Sequence, residues 1–295
     1  MSRTIDEEYL ELFFDELLSE KEVPYRALKA LFGYLKGVFD KSIRDGLIES
    51  NPCLKIDLPL YKRRCKQAIV KMPEERTFSQ SEKNRLINSL NKKRKERPDD
   101  VLPYAVELAL YTGMRVGELS GLMWNDIDEV NKRIIIRHSE KLNRLTNTFY
   151  ISTPKNGKTR IIEPAPFVME VLKKHRADQQ AQKKRARDLW NEGEFPNLVF
   201  THADGSHLNQ WFVCRIFQSY LAKAGLPRHR MHDLRHTFAV NSIMAGDDIK
   251  TLQENMGHYS AAFTLDRYGH VTPTMRRESA NRMQAFISNL TTESG

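Results

Sequence analysis

Hydrophobic positions along this chain fall at helical spacing over most of its length. Leu10, Phe13, Phe14, Leu17 and Leu18 repeat at three and four residues between Ile5 and Ser19, which predicts an amphipathic helix with acids on its other face. A second helix is predicted from Tyr25 to about Asp45, with Leu28, Leu31, Phe32, Leu35, Phe39 and Ile43 on one stripe and Gly46 suited to its C-terminal cap. Two helices make a small and incomplete bundle. The next stretch, LKIDLPLYKRRCKQAIVKMPEE, has prolines, a basic knot at Lys62, Arg63, Arg64 and Lys66, and no periodicity. It reads as a linker, with the boundary near residue 75.

Beyond the linker, TFSQSEKNRLINSL sets Glu82 three residues after Ser79, the spacing of a capping box at a helix start. A further helix begins near Pro103 and runs through YAVELALYTG. RIIIRHSEK is rich in β-branched residues, and FYISTPKNGKTRIIEP predicts a hairpin turning at Asn156-Gly157, with Lys155 and Lys158 at its tip. Phe167 to Leu189 is helical and highly basic, LVFTHADGSHLN is a short strand and turn, and helices alternate with short loops from Trp211 onward. The predicted class is mainly α with a small antiparallel β-sheet (α+β), arranged as a partial helical domain over 1–58, a linker over 59–75 and a larger domain over 76–295.

Composition narrows the possibilities. The 295 residues are 40% hydrophobic with no apolar run long enough to span a bilayer, as expected of a soluble protein that does not enter a membrane. The start, MSRTIDEEYLELFF, is acidic where an export signal needs a basic stretch, so a cytoplasmic location is expected. Cys53, Cys65 and Cys214 form no C-x-x-C, which argues against a disulfide framework and a cysteine zinc site. A net charge of +9 suits a protein that approaches a polyanion, because neutralising phosphates releases condensed counterions. The acidic face of the first helix would repel DNA.

Candidate chemistry gathers in the larger domain. In TGMRVGELSGLMWNDID, Gly113, Gly117 and Gly121 recur every four residues, a spacing that permits close helix packing and does not make a dinucleotide loop. Arg115 and Glu118 are one turn apart, so the carboxylate either orients the guanidinium or forms an ordinary surface ion pair with it. In MHDLRHTFAV, His232 and Arg235 share a helical face. His232 and His236 have the spacing of a zinc pair but lack the glutamate that usually accompanies it; a histidine satisfied in a helical core is the plainer reading. Leu252 and Met256 are expected core residues, followed by Gly257-His258 at a helix end and then Tyr268.

Together these features resemble the catalytic domain of the tyrosine recombinases, the phage integrase family. Arg115 stands in T-G-x-R-x-x-E-L, followed in order by a hairpin lysine, H-x-L-R-H, G-H and a late R-Y, over about residues 76 to 290. The resemblance implies that Arg115 and Arg235 clamp a scissile phosphate, His258 adds a donor, His232 moves the proton, Tyr268 is the nucleophile, Lys155 (rather than Lys158) protonates the leaving oxygen, and Glu118 supports Arg115. It further implies an integrase of a prophage or conjugative transposon that needs no cofactor or metal, acts on double-stranded DNA attachment sites as a homo-tetramer, and has a directionality factor as a possible partner. Type IB topoisomerases share the phosphotyrosine chemistry, but H-x-L-R-H and G-H favour the recombinases.

The resemblance is incomplete at the amino end, where residues 1–58 match only the second half of the family's helical, SAM-like core-binding domain. A catalytically silent DNA-binding remnant is therefore the alternative expectation. The final stretch MRRESANRMQAFISNL places Met283, Phe286, Ile287 and Leu290 on one stripe, to pack on its own domain or, as the resemblance implies, on a neighbouring subunit.

Overall fold

A computed structural model describes residues 5–66, 76–154 and 157–258, and, further on, residues 260, 262, 264, 277, 280, 281, 283, 284, 287 and 288. The chain divides into two compact units, Met1–Val70 and Lys71–Gly295.

In the first unit, α1 (Glu7–Glu20) is started by Asp6, whose carboxylate accepts from the Tyr9 amide at 2.9 Å. The second helix, α2 (Tyr25–Arg44), ends where Gly46 takes a φ of +70°, a conformation that costs glycine little. Leu10, Phe14 and Leu28 are buried between these helices, while Phe13 is exposed. The segment read as the start of a linker is in large part core. It folds as two 3₁₀ turns, Pro52–Leu54 and Leu58–Arg63, and buries Cys53, Ile56, Leu58, Tyr61 and Cys65 against α1 and α2. Prolines set this irregular path, so the apolar residues follow no helix or strand period. The basic knot also has internal partners: Arg64 lies 2.5 Å from Asp15, and Lys66 pairs with Glu22. Part of the acidic face is thereby neutralised within the unit.

The second unit opens with α3 (Gln80–Glu96), and the capping box is present: the Glu82 amide donates to Ser79 Oγ at 3.3 Å, and the Ser79 amide donates back to Glu82 Oε2 at 2.7 Å. Next come α4 (Leu102–Thr112), which is buried on nearly every side, and the short α5 (Val116–Ser120). Two small antiparallel sheets follow in place of the single one expected. One has strand order β1 (Ile127–Asp128), β2 (Arg133–Ile136), β5 (Arg160–Ile162); the other pairs β3 (Ser139–Asn143) with β4 (Thr148–Ser152). RIIIRHSEK is split between them at Arg137 and His138, which both turn toward the buried carboxylate of Asp126 at 2.5 and 2.8 Å.

The predicted hairpin is also redistributed. Across the predicted tip the Gly157 amide donates to the Pro154 carbonyl at 2.9 Å. The flanking strands, however, pair with other partners, β4 with β3 and β5 with β2, so they belong to two different sheets. The tip residues Lys155 and Asn156 lie outside the described residues. LVFTHADGSHLN forms isolated bridges, Leu198 to Met123 and His207 to Thr201, in place of a strand.

Four further helices have both ends among the described residues: α6 (Pro166–Ala186), α7 (Gln210–Lys223), α8 (Met231–Ala245) and α9 (Ile249–Met256). The core runs from Leu86 and Leu90 of α3 through α4 to Phe217 of α7 and Leu234 of α8. Leu252 and Met256 are buried against α8 through Ala239 and Phe238. Among the described residues, no helix is long and apolar enough to cross a membrane. Of the tail stripe, Met283 and Ile287 are described and exposed, whereas Phe286 and Leu290 lie outside the described residues.

Of the evenly spaced glycines, Gly113 lies close against Phe238 of α8, in keeping with the helix packing expected, whereas Gly117 and Gly121 have a different use. A Cβ on Gly117 would meet the Glu140 carbonyl oxygen at 2.8 Å, and one on Gly121 would meet the Glu140 amide at 3.0 Å. They admit a strand, β3, against α5. Gly117→Ala is expected to destabilise the protein by about 1–3 kcal/mol in urea unfolding, since a backbone atom must move. Gly33→Ala, inside α2 with nothing within 4 Å, should instead stabilise its unit, by about 0.5–1 kcal/mol.

Candidate active site

Arg115 sits at the junction of α4 and α5, where α4 ends on Gly113 at φ +63° and the chain reverses into a new helix. Glu118 closes that turn by accepting from the Arg115 amide at 2.9 Å, and its other oxygen accepts from Arg115 Nη1 at 2.8 Å. The pair is therefore no ordinary surface contact, because Glu118 is only 1% exposed. Its carboxylate is gripped from the opposite side by Arg160 of β5, with Nη1 on Oε1 at 2.8 Å and Nη2 on Oε2 at 2.7 Å. Burial alone would push this carboxyl up. The two-pronged hydrogen bond and charge of Arg160, with the charge and amide of Arg115, overcome it and hold the group at about 2.

Arg235 and His232 lie one turn apart on α8 and meet different surroundings. His232 is exposed, and its ring meets that of the buried His236 edge-on at 4.7 Å. Arg235 is 2% exposed, and its guanidinium donates to two carbonyls: Nη1 to Gly113 and Nη2 to Met256, each at 2.5 Å. Among the described residues no group of three or more His, Cys, Asp or Glu gathers as if for a metal ion.

The C-terminal end of α9 organises the site. Its last carbonyls have no amide of the same helix to bind, and arginines take three in succession: Arg160 Nε on Asn255 at 2.9 Å, Arg235 Nη2 on Met256, and Arg115 Nη2 on Gly257 at 3.1 Å. Three guanidinium groups from β5, α8 and the α4–α5 junction thus converge on one helix end, where the macrodipole also favours positive charge. Gly257, at φ +60°, turns the chain sharply, and His258 follows directly. The His258 backbone is held by Gln253, whose carbonyl accepts from the His258 amide at 3.1 Å and whose Nε2 donates to the His258 carbonyl at 3.0 Å. The His258 ring contacts the hydroxyl of the buried Thr264, Nδ1 to Oγ1 at 2.8 Å.

Arg115, Arg160, Lys158 and His258 line one cleft of 490 Å³, together with Pro154, Gln253 and Glu254. Of the residues singled out in the sequence, Arg115, Glu118, Arg235 and His258 are therefore brought together, with His232 one turn from Arg235 on the same helix. Lys155 and Tyr268 lie outside the described residues. Arg160 was missed. Its signal was parity: in the strand R-I-I it shares a face with Ile162, which is 2% exposed, whereas Ile161 between them is half exposed.

The description of the phage integrase family matches residues 76–275, more than half of the chain. The chain belongs to the phage integrase family. Among its relatives, the ICEBs1 integrase of Bacillus subtilis is 26% identical over 278 residues, covering 93% of this chain and 69% of that protein. A tyrosine recombinase XerC-like protein of Caldanaerobacter subterraneus subsp. tengcongensis is 27% identical over 274 residues, 88% of this chain and 66% of the relative. The transposase from transposon Tn916 of Enterococcus faecalis is 28% identical over 258 residues, 86% of this chain and 61% of the relative. The chain thus spans about two thirds of the length of these curated relatives.

The fold agrees with the family. The Tn1549 transposon integrase, solved in complex with a circular intermediate DNA, superposes with a TM-score of 0.68 at 21% identity over 95% of this chain and 86% of that one. XerH site-specific recombinase, solved bound to difH substrate, gives 0.56 at 22% identity over 94% and 70%.

Glu118 makes stability depend on acid in this integrase-family fold. A carboxyl at about 2 in the folded state, against an ordinary 4.5, contributes on the order of 3 kcal/mol that is fully present above the unfolded value and lost as pH falls through the folded one. Glu118→Gln should therefore cost about that much at pH 7 and distinctly less at pH 3. Urea unfolding of both proteins at the two pH values measures it; a penalty independent of pH would disprove the assignment.

Proposed function

We propose that this chain is a site-specific DNA recombinase, an integrase that cleaves and rejoins DNA strands through a 3′-phosphotyrosyl intermediate to integrate or excise a mobile element. The observation that carries the reading is the anchoring of Arg115 and Arg235 on the adjacent carbonyls of Gly257 and Met256, immediately before His258. Attack on a phosphodiester concentrates negative charge on the non-bridging oxygens, and rigidly held donors stabilise it without reorganising during the reaction. Guanidinium forks suit the planar recognition of phosphate better than an ammonium does.

In this reading the Tyr268 oxygen forms a bond to phosphorus and gives up its proton, with His232 as the base. A phenol with a pKa near 10 needs that help at neutral pH. The bond from phosphorus to the 5′ oxygen breaks, Lys155 donates the proton that the departing oxygen takes, and His258 supplies a further donor to the phosphate. Glu118 supports Arg115. The phosphotyrosine preserves the bond energy, so the 5′ hydroxyl of a partner strand reverses the step and joins new ends without ATP. Double-stranded attachment sites are the substrate, a homo-tetramer on two duplexes the working assembly and a directionality factor a further partner, acting in the cytoplasm. Support comes from the net charge of +9 and from the DNA bound in the solved structures of the Tn1549 integrase and XerH.

The decisive experiment traps the intermediate on a nicked suicide duplex. Wild type should form a detergent-resistant protein–DNA adduct, and Tyr268→Phe should form none while binding the duplex as well as wild type. Equal absence of adduct from both proteins on bound DNA would exclude the enzyme. Arg235→Lys should slow adduct formation by about a hundredfold or more, because one ammonium cannot replace a fork held on two carbonyls.

A further inference from the structure

Glu118 is more fully engaged by Arg160 than by Arg115. Arg160 contacts both carboxylate oxygens and the Asn255 carbonyl, whereas Arg115 gives the carboxylate one side-chain hydrogen bond and its backbone amide. Four donors thus occupy the two oxygens, which fills their acceptor capacity. The Arg160 side chain is 10% exposed and that of Arg115 is 29% exposed, so Arg115 is the one more open to the cleft. Two guanidinium groups on one carboxylate leave the cluster with a net charge of +1. Without Arg160, Glu118 and Arg115 would cancel.

We infer that Arg160 is a positioning residue for strand cleavage: by saturating Glu118 it leaves the positive charge of Arg115 directed at the cleft, and by binding Asn255 it fixes the α9 end that carries His258. This rests on the recombinase reading above. The residue acts through Arg115 and His258 and need not touch the phosphate. Among the described residues, Glu118 is met by Arg115, which caps its helix, and by Arg160 from β5; Lys158, Glu254 and His258 line the cleft beside these two arginines, and Glu140 comes from β3, whose backbone carbonyl at that residue abuts Gly117. Loss of Arg160 removes the largest influence that opposes burial at Glu118. The carboxyl then takes up a proton at a higher pH, and Arg115 loses its orientation as it does so.

The test uses the full chain, single-turnover adduct formation on the suicide duplex across pH, and duplex affinity measured separately. Arg160→Gln is expected to slow cleavage at neutral pH by about a hundredfold, with affinity changed by less than about threefold. Its rate should gain, between about pH 5 and 8, a rising limb additional to the wild-type pH profile. Adding Glu118→Gln to that variant should abolish the limb, and Arg160→Lys should recover part of the rate. Ile162→Val weakens the same strand without touching Glu118, and should keep the wild-type pH profile. An Arg160→Gln protein with the wild-type rate, or with a reduced rate and the wild-type profile, overturns this inference alone. A wild type that binds the duplex and forms no adduct overturns the recombinase reading and this inference with it.

Discussion

The functional half of this molecule depends on how one helix ends. α9 finishes with carbonyls that its own amides cannot satisfy, and the fold answers with arginines from three distant segments. A buried guanidinium is costly to desolvate, by several kcal/mol. Charge-assisted hydrogen bonds worth roughly 1.5–3 kcal/mol each offset that cost when two are made at once, as Arg235 makes with Gly113 and Met256. The helix end and the cationic cluster thus satisfy each other. Neither would be stable in a dry interior alone.

Two left-handed glycines make the arrangement possible. Gly113 closes α4 and offers its carbonyl to Arg235; Gly257 closes α9 and offers its carbonyl to Arg115. Space is short as well as conformation, since a Cβ at Gly113 would lie 2.4 Å from the Phe238 ring and one at Gly257 would lie 3.0 Å from Arg160. Each glycine is thus both a helix stop and an arginine anchor. That shared use couples the ends of two helices to the charge presented at the cleft.

The amino-terminal unit follows a different economy of charge. Its acidic helix looked unsuited to DNA, yet Arg64 and Lys66 return to Asp15 and Glu22, so basic residues read as linker are spent within the unit. These pairs are exposed and add little stability. Their larger effect is on the field around α1, which is less negative than the helix sequence alone implies. Net charge along a sequence is therefore an uncertain guide to the sign of a surface.

Local signals carried far in this chain. Periodicity located α1 and α2 to within two residues and the Ser79–Glu82 spacing marked the start of α3, because helix faces and caps depend on neighbours a few residues away. Arg115, Glu118, Arg235 and His258 were singled out by the order of their motifs, through resemblance to the family, since each motif alone has an ordinary structural reading. Strand partners were not legible: the apolar segments on either side of Asn156-Gly157 suggested a hairpin, but which strands pair depends on contacts made across the fold. The packing of Tyr61 and Cys65, the approach of β3 to Gly117 and the place of Arg160 were hidden for the same reason. The sequence by itself determined the order of the candidate motifs and where its helices begin. Only the tertiary structure decided which carbonyls and carboxylates hold those residues, because hydrogen bonds such as that from Arg115 to Gly257 join atoms 142 positions apart.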